Sequence, residues 1–384
     1  MSYTALYRKY RSQSFDEIVG QQHILTSLVN QINNNQVGHA YLFTGTRGTG
    51  KTSIAKIFAK AINCLNPKNG NPCNKCEVCK SIISGTNVDI LEIDAASNNR
   101  VDEIRELREK VKYPPVTCRY KVYIIDEVHM LTDSAFNALL KTLEEPPEYV
   151  VFVLATTEVQ KLPATILSRC LRFDFKLLTE EELSKHLEYV FKDSGVTYEK
   201  EAISIIAKLG AGSVRDTLSI ADMCVAFSNK NVTYDSVIGA VGLTDRQTLK
   251  LITQCILEKD EGKVLSAIDK VSKLGKNLVQ MSKDLVSYIR DLLVVTTCKD
   301  YKDILKLPAD QLKELEDLSK LATKEKLIEM LKKLSVLDNE FRYATNPRNL
   351  LEINLVSLCN FDMCEMSELK MKIKLLEAKL NKGN

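Results

Sequence analysis

Gly45-Thr46-Arg47-Gly48-Thr49-Gly50-Lys51-Thr52 decides how the rest of the chain reads. The stretch fits G-x-x-x-x-G-K-[ST], the phosphate-binding P-loop. Glycine at these positions lets the backbone approach a polyphosphate with no Cβ in the way. Successive N–H groups, through Thr46, Arg47 and Thr49 and on to Ser53 at the next helix N-terminus, then face phosphate oxygens. Lys51 is placed to reach the β- and γ-phosphates, and the Thr52 hydroxyl to ligate Mg²⁺. A glycine-rich turn is the plain alternative. The flanks speak against it: Ala40 to Phe43 reads as a short buried strand. Ser53 to Ile62 reads as a helix with apolar residues at Ile54, Ile57, Phe58 and Ala61. The pattern implies a nucleotide site for ATP and Mg²⁺.

Working outward, a helix is expected over 24–33, and strands over 88–93, 121–125, 150–155 and 171–175. Helices are expected over 101–111 and 134–143, each ended by a Pro-Pro pair, Pro114-Pro115 and Pro146-Pro147. The strand over 121–125 is a near-continuous apolar run, as in a parallel sheet covered on both faces. Strands alternating with helices mean an α/β sheet. After Leu178 the strand signals largely stop. Thr179 and Glu182 fit a capping box, and three helical patterns follow to about Ala240. Helical patterns resume from Asp245 to about Asn360. Met366, Leu369, Ile373, Leu376 and Leu380 then repeat at intervals of 3 and 4, which suits an amphipathic helix or a short coiled-coil seam.

Two further clusters carry chemistry. The strand ending at Ile125 runs into Asp126-Glu127, where Asp126 can hold Mg²⁺ and Glu127 can polarise an attacking water. The strand over 150–155 ends in Thr156-Thr157, whose hydroxyls could touch the γ-phosphate or be ordinary strand-end threonines. Arg169 and Arg215 would pass as surface arginines without the P-loop. Cys64, Cys73, Cys76 and Cys79 form C-x₈-C-x₂-C-x₂-C in a polar loop inserted from Asn63 onward. Four thiolates suit tetrahedral Zn²⁺, so structural zinc is expected; free thiols and a redox pair are the alternatives. An odd total of 11 cysteines argues against a disulfide framework.

The chain of 384 residues suggests two or three domains, and 45% apolar with 27% charged residues is ordinary for a soluble protein. A net charge of +3 does not by itself point to nucleic acid. Neither a secretory leader nor an apolar run of membrane length is read, so a cytoplasmic location without membrane association is expected.

Together these residues resemble the AAA+ ATPases and, more closely, the gamma/tau family of bacterial DNA polymerase III clamp-loader subunits. The resemblance covers about Tyr3 to Asn360. It rests on the P-loop, the four-cysteine insertion, Ile125-Asp126-Glu127-Val128-His129-Met130-Leu131, the run from Phe136 to Pro147, Ala155-Thr156-Thr157 and Leu167-Ser168-Arg169-Cys170. It implies an AAA+ α/β module with the zinc insertion (1–178, zinc module 64–79), a three-helix lid (179–242) and an all-α collar domain (243–360). Residues 361–384 would form an amphipathic helix or the start of an extension. It makes Lys51 and Thr52 Walker A, Asp126 and Glu127 Walker B, Thr157 sensor 1 and Arg215 sensor 2. Arg169 becomes the arginine finger given to a neighbouring subunit. Arg8, Val19 and Gly20 become candidates for contacts to the adenine.

The implied function is an ATPase that opens a sliding clamp and loads it on primer–template DNA. The implied partners are delta- and delta-prime-type subunits and further copies of the chain in a ring. Polymerase and helicase join where a C-terminal extension exists. Asn98-Asn99-Arg100 and Lys141 would meet DNA phosphates, with solvated surface charge as the alternative. Another AAA+ nucleic-acid motor, such as a branch-migration helicase, would not predict the four-cysteine module. A non-hydrolysing scaffold would not need the full set of Lys51, Asp126, Glu127 and Arg169. No second pair of metal-binding carboxylates suggests a polymerase site.

Overall fold

The apolar runs pair into one parallel sheet. Its strands are β1 (Ala40–Thr44), β2 (Ile90–Asp94), β3 (Lys121–Asp126), β4 (Val150–Thr156) and β5 (Leu171–Asp174), in the order β2-β3-β4-β1-β5. This computed structural model describes residues 4–97, 101–305 and 307–360. The chain divides into two units at Val237/Ile238.

In the first unit, helices α1 (Leu6–Lys9), α2 (Gln22–Asn33), α3 (Lys51–Ile62), α4 (Glu77–Ser84), α5 (Val101–Val111), α6 (Asp133–Glu144) and α7 (Ala164–Leu167) accompany the sheet. Alternate strand residues feed two cores. Tyr41, Phe43, Ile124 and Val153 pack with Leu28 of α2 and Phe58 of α3. Leu42, Tyr123, Ile125 and Leu154 pack with Leu139 of α6. Both faces are covered at the centre, which is why β1, β3 and β4 read as continuous apolar runs, while the edge strands β2 and β5 carry polar residues. β1 lies between β4 and β5. The P-loop therefore leaves the carboxyl edge of the sheet next to the ends of β4 and β5, with only β4 between it and the end of β3, where open α/β sheets bind ligands.

Three expectations need correction. The inserted loop is not irregular to its end: Cys76 caps α4, with its sulfur accepting from Cys79 N–H. The start of α4 lies inside the polar cysteine run and is capped by a cysteine, so the usual start signal is missing. β2 begins at Ile90 rather than Val88, because the buried Asp89 carboxylate turns inward and accepts from the N–H groups of Val116, Thr117 and Cys118 at 2.9, 2.7 and 3.0 Å. The region after Leu178 also contains a parallel pair, β6 (Thr197–Tyr198) and β7 (Asn231–Val232), too short to leave a pattern.

That region otherwise holds α8 (Glu180–Ser194), α9 (Lys200–Leu209) and α10 (Val214–Phe227), and the division between the units falls within α11 (Tyr234–Val241). The capping box at Thr179 and Glu182 is formed.

The second unit is helical: α12 (Arg246–Leu257), α13 (Glu261–Lys273), α14 (Leu278–Thr297), α15 (Tyr301–Leu305), α16 (Ala309–Ser319), α17 (Lys324–Glu340) and α18 (Pro347–Cys359). Leu285, Ile289 and Leu292 of α14 sit in one core with Leu315, Leu334 and Leu355. The seam from Met366 to Leu380 and the segment Asn98-Asn99-Arg100 lie outside the described residues. Lys141 is exposed on α6. No helix among the described residues is long and apolar enough to cross a membrane.

Candidate nucleotide site and four-cysteine cluster

The P-loop bends because glycine allows it. Gly45 has φ +145°, and a Cβ there would stand 2.7 Å from the Phe175 carbonyl oxygen. Gly48 has φ +78°, and a Cβ there would strike the Ser213 hydroxyl. Val214 N–H, in the first turn of α10, donates to the Gly48 carbonyl at 3.2 Å. The lid helix thus starts directly on the P-loop.

A cavity of about 840 Å³ opens here, walled by Arg47 to Ser53 and by Asp126 and Glu127. The wall continues through Tyr7, Arg8, Tyr10, Ile18, Val19 and Leu218. One end therefore offers backbone N–H groups and a lysine. The other offers aromatic and aliphatic side chains, the lining a planar base needs.

At the phosphate end the Lys51 ammonium donates to the carbonyls of Gly45 and Thr46 at 2.7 and 2.8 Å. Burial pushes its pKa below the ordinary lysine value, against the opposing pull of Glu127 and Asp126. Thr52 Oγ1 donates to Asp126 Oδ2 at 2.7 Å, so the two oxygens expected to face Mg²⁺ already meet. Hard oxygen donors at the end of a strand and the start of a P-loop helix fit that cation.

Glu127 adopts a left-handed backbone, φ +48°, which turns the chain sharply out of β3. Its Oε2 accepts from Thr157 Oγ1 at 2.9 Å and from Thr157 N–H at 3.2 Å. Thr156 does different work: its hydroxyl is 2.9 Å from His129 Nδ1 and accepts from Glu158 N–H at 3.0 Å. His129 also lies 3.4 Å from Glu127 Oε2. His129 stands in the run Ile125–Leu131, where residue order alone assigns it no role.

The remaining candidates separate. Arg8 and Arg215 line the cavity, each with its guanidinium over the Tyr7 ring at 5.7 and 5.6 Å. Val19 lines it as well. Gly20 does not; it packs against Leu178, where a Cβ would overlap. Gly45, Thr46 and Thr157 are not among the residues that line the cavity. Arg169 is away from it, just beyond α7, donating to Glu144 Oε1 at 2.7 Å and to the Thr165 carbonyl at 2.8 Å. Tyr7, Tyr10, Asp94 and His186 are wall residues that sequence reasoning missed. They come from α1 and the residue that caps its end, from β2 and from α8, and no local spacing links them to the P-loop. His186 Nε2 is buried with no hydrogen-bond partner among the described residues, and burial lowers its pKa.

The sulfurs of Cys64, Cys73, Cys76 and Cys79 all lie within 4.8 Å of one another. Two of them, Cys73 and Cys79, are 4.0 Å apart. Tetrahedral zinc with Zn–S of about 2.3 Å requires S···S near 3.8 Å, so the four fit the ion with little movement. Backbone N–H groups point at the sulfurs: Cys73 N–H to Cys64, Cys76 N–H to Cys73 and Cys79 N–H to Cys76, at 3.2, 3.3 and 3.4 Å. The N–H groups of Lys75 and Cys76 pull the Cys73 thiol down to about 6. Burial and the neighbouring sulfurs push Cys79 up. Four sulfurs this close become thiolates together only around a cation.

The sheet order, the P-loop, the acidic pair at the end of β3 and the lid helix seated on Gly48 define an AAA+-type P-loop protein. Three family models match the chain: DNA polymerase III, delta subunit, over 20–179; DNA polymerase III clamp loader subunit, ATPase lid domain, over 182–230; and DNA polymerase III subunits gamma and tau domain III, over 232–373. The DNA polymerase III subunit tau of Bacillus subtilis is 40% identical over 100% of this chain and 69% of its own length. The subunit gamma of Buchnera aphidicola from Acyrthosiphon pisum is 40% identical over 78% of this chain and 82% of its own length. The tau/gamma subunit of Haemophilus influenzae is 52% identical over 64% of this chain but only 36% of its own length. Among solved structures, the Thermotoga maritima RuvB branch migration motor aligns at 20% identity and TM-score 0.47 over 64% of this chain and 79% of that one. This chain belongs to the gamma/tau family of DNA polymerase III clamp-loader subunits.

Proposed function

We propose that this chain is an ATP-hydrolysing motor subunit of a bacterial clamp loader. It would use ATP to open a sliding clamp and place it on primer–template DNA. The observation that carries the reading is the convergence of Lys51, Thr52, Asp126 and Glu127 on one wall of the cavity. Family membership supplies the task to which that site is put.

Lys51 and the P-loop N–H groups hold the phosphates. Thr52 and Asp126 hold Mg²⁺, which when bound offsets charge on the phosphate oxygens. Glu127 orients and deprotonates the attacking water, and Thr157 fixes that carboxylate through two hydrogen bonds. Arg215 enters from the lid, so its distance to the nucleotide follows lid position. Arg169 is offered to the site of an adjacent subunit. Arg8 and Val19 contact the base, while Gly20 supports them from behind. The Cys64, Cys73, Cys76 and Cys79 set holds one structural Zn²⁺. Partners are delta- and delta-prime-type subunits, copies of the chain, the clamp and DNA, in the cytoplasm. Nucleotide must bind the clamp-open state more tightly than the closed one, or no motion results.

The test measures ATP hydrolysis by the purified chain alone, then with partner subunits, clamp and primed DNA. Hydrolysis stimulated by the full set is expected. A chain that never hydrolyses ATP in that assembly would refute the motor reading.

A further inference from the structure

The four-cysteine loop has no part in the chemistry proposed above, yet its polar contacts converge on one place. Asn74 sits between the second and third cysteines in a left-handed conformation, φ +53°, and so forms the turn that brings Cys73 and Cys76 together. Its side chain reaches out of the loop: Nδ2 donates to the Gln13 carbonyl at 3.2 Å, and Oδ1 accepts from Lys60 Nζ at 3.0 Å. Lys60, nearly fully buried on α3, also donates to the Gln13 carbonyl and to Gln13 Oε1 at 2.8 and 2.9 Å. Asn71 accepts from Phe15 N–H at 2.8 Å and donates to Asp16 Oδ1 at 3.2 Å.

Apart from the Lys60–Asn74 bond, which ties the loop to α3, each of these bonds ends on 13–16. That stretch has no strand pairing and only a single 3₁₀ turn, Phe15–Glu17. It is flanked by Arg11 and Ser12 on one side and Ile18 and Val19 on the other, all four in the nucleotide cavity wall. The loop therefore holds the middle of a short segment whose two flanks line the cavity, with buried Phe15 as its anchor in the core. α3 closes the triangle: its first residues are the P-loop, and Lys60 lies near its far end.

We propose that the four-cysteine loop is a positioning device for the base-side wall of the nucleotide cavity, acting through Asn71, Asn74 and Lys60 on residues 11–19. The proposal rests on the nucleotide reading above and adds to it a division of labour. Phosphate recognition belongs to the P-loop and does not need the loop. Recognition of the nucleoside does, so metal loading of the cysteines sets affinity for ATP without setting affinity for a bare polyphosphate.

The full-length chain is titrated calorimetrically with Mg²⁺-ATP and with Mg²⁺-tripolyphosphate. Native protein, zinc-stripped protein, an Asn71→Ala/Asn74→Gly double variant and Lys60→Met are compared. Glycine keeps the left-handed turn, so the double variant should retain one zinc per chain by elemental analysis. The expected result is ATP affinity lowered ~10-fold in all three perturbed proteins, with tripolyphosphate affinity within ~2-fold of native. Amide hydrogen exchange should accelerate over 11–19 and stay unchanged over 45–53. ATP affinity unchanged in the zinc-stripped protein and the double variant would overturn the proposal. So would an equal loss for both ligands, which would mean that the loop merely holds the domain together. A native chain that binds tripolyphosphate and ATP equally would overturn this proposal while leaving the P-loop assignment standing. A native chain that binds neither would overturn the nucleotide reading and this proposal with it.

Discussion

Thr52 Oγ1 and Asp126 Oδ2 meet at 2.7 Å, joining the first turn of α3 to the last residue of β3. Residues 74 apart in sequence thus form one oxygen pair beside the P-loop. Thr52→Ala and Asp126→Asn should both weaken the Mg²⁺ dependence of ATP binding and lower hydrolysis by ~100-fold or more, while nucleotide binding without Mg²⁺ changes little. A Mg²⁺ titration of ATP affinity and turnover checks this.

Glu127 is held by both the hydroxyl and the N–H of Thr157. Glu127→Gln should bind ATP normally and lose ~10²–10⁴ in turnover, the usual worth of a general base. Thr157→Ala keeps the N–H donor and removes only the hydroxyl, so a smaller loss of ~10-fold in kcat is expected. Lys51→Ala should instead lose ATP binding. Separate measurements of Kd and single-turnover rate distinguish the three.

Each chain should carry one Zn²⁺ on Cys64, Cys73, Cys76 and Cys79, with Zn–S near ~2.3 Å. Elemental analysis and X-ray absorption on protein never exposed to chelator are the measurements. Cys76→Ser should lose the metal while keeping an N-cap for α4, and the sheet should stay folded, because the strands draw their stability from the two apolar cores on either face.

Asp89 gives a stability prediction. Burial alone would raise its pKa, but the N–H donors of Thr117, Val116 and Cys118 outweigh it and hold the carboxyl below its ordinary value. Folding therefore favours the ionised form. That contribution is fully present above the ordinary carboxylate range, near ~4, and disappears as pH falls below it through the lower folded value. Asp89→Ala, which leaves three N–H groups without acceptors, should cost about 3 kcal/mol at neutral pH. Denaturant melts at pH 7 and pH 3 should show the gap between native and variant narrowing in acid.

Much of the site was legible because its chemistry depends on residue types in fixed local order. The P-loop needs glycines and a Lys-Thr pair within eight residues, and Asp126-Glu127 stand at the end of an unmistakable apolar strand. What stayed hidden depends on distant packing. Tyr7, His186 and Asp94 reach the cavity from three separate elements, and nothing in their neighbours marks them. Gly20 sits beside Val19 in sequence but faces Leu178 rather than the cavity, a distinction that adjacency does not carry. α4 escaped because a cysteine caps it, and the usual cap residues are Ser, Thr, Asp and Asn.

The central claim is that hydrolysis is completed across a subunit boundary by Arg169. In its own chain Arg169 is paired with Glu144 on α6 and lies away from the cavity wall. Arg169→Ala should bind ATP with near-native affinity and assemble, yet lose ~10³–10⁵ in hydrolysis, the range for arginine fingers. The most direct measurement mixes Arg169→Ala chains with Glu127→Gln chains in one assembly and follows ATP turnover. Some boundaries then join an intact Glu127 to an intact Arg169, and the account predicts partial recovery of activity that neither variant has alone. No recovery, in mixed assemblies shown to contain such boundaries, would contradict it and confine Arg169 to its own chain.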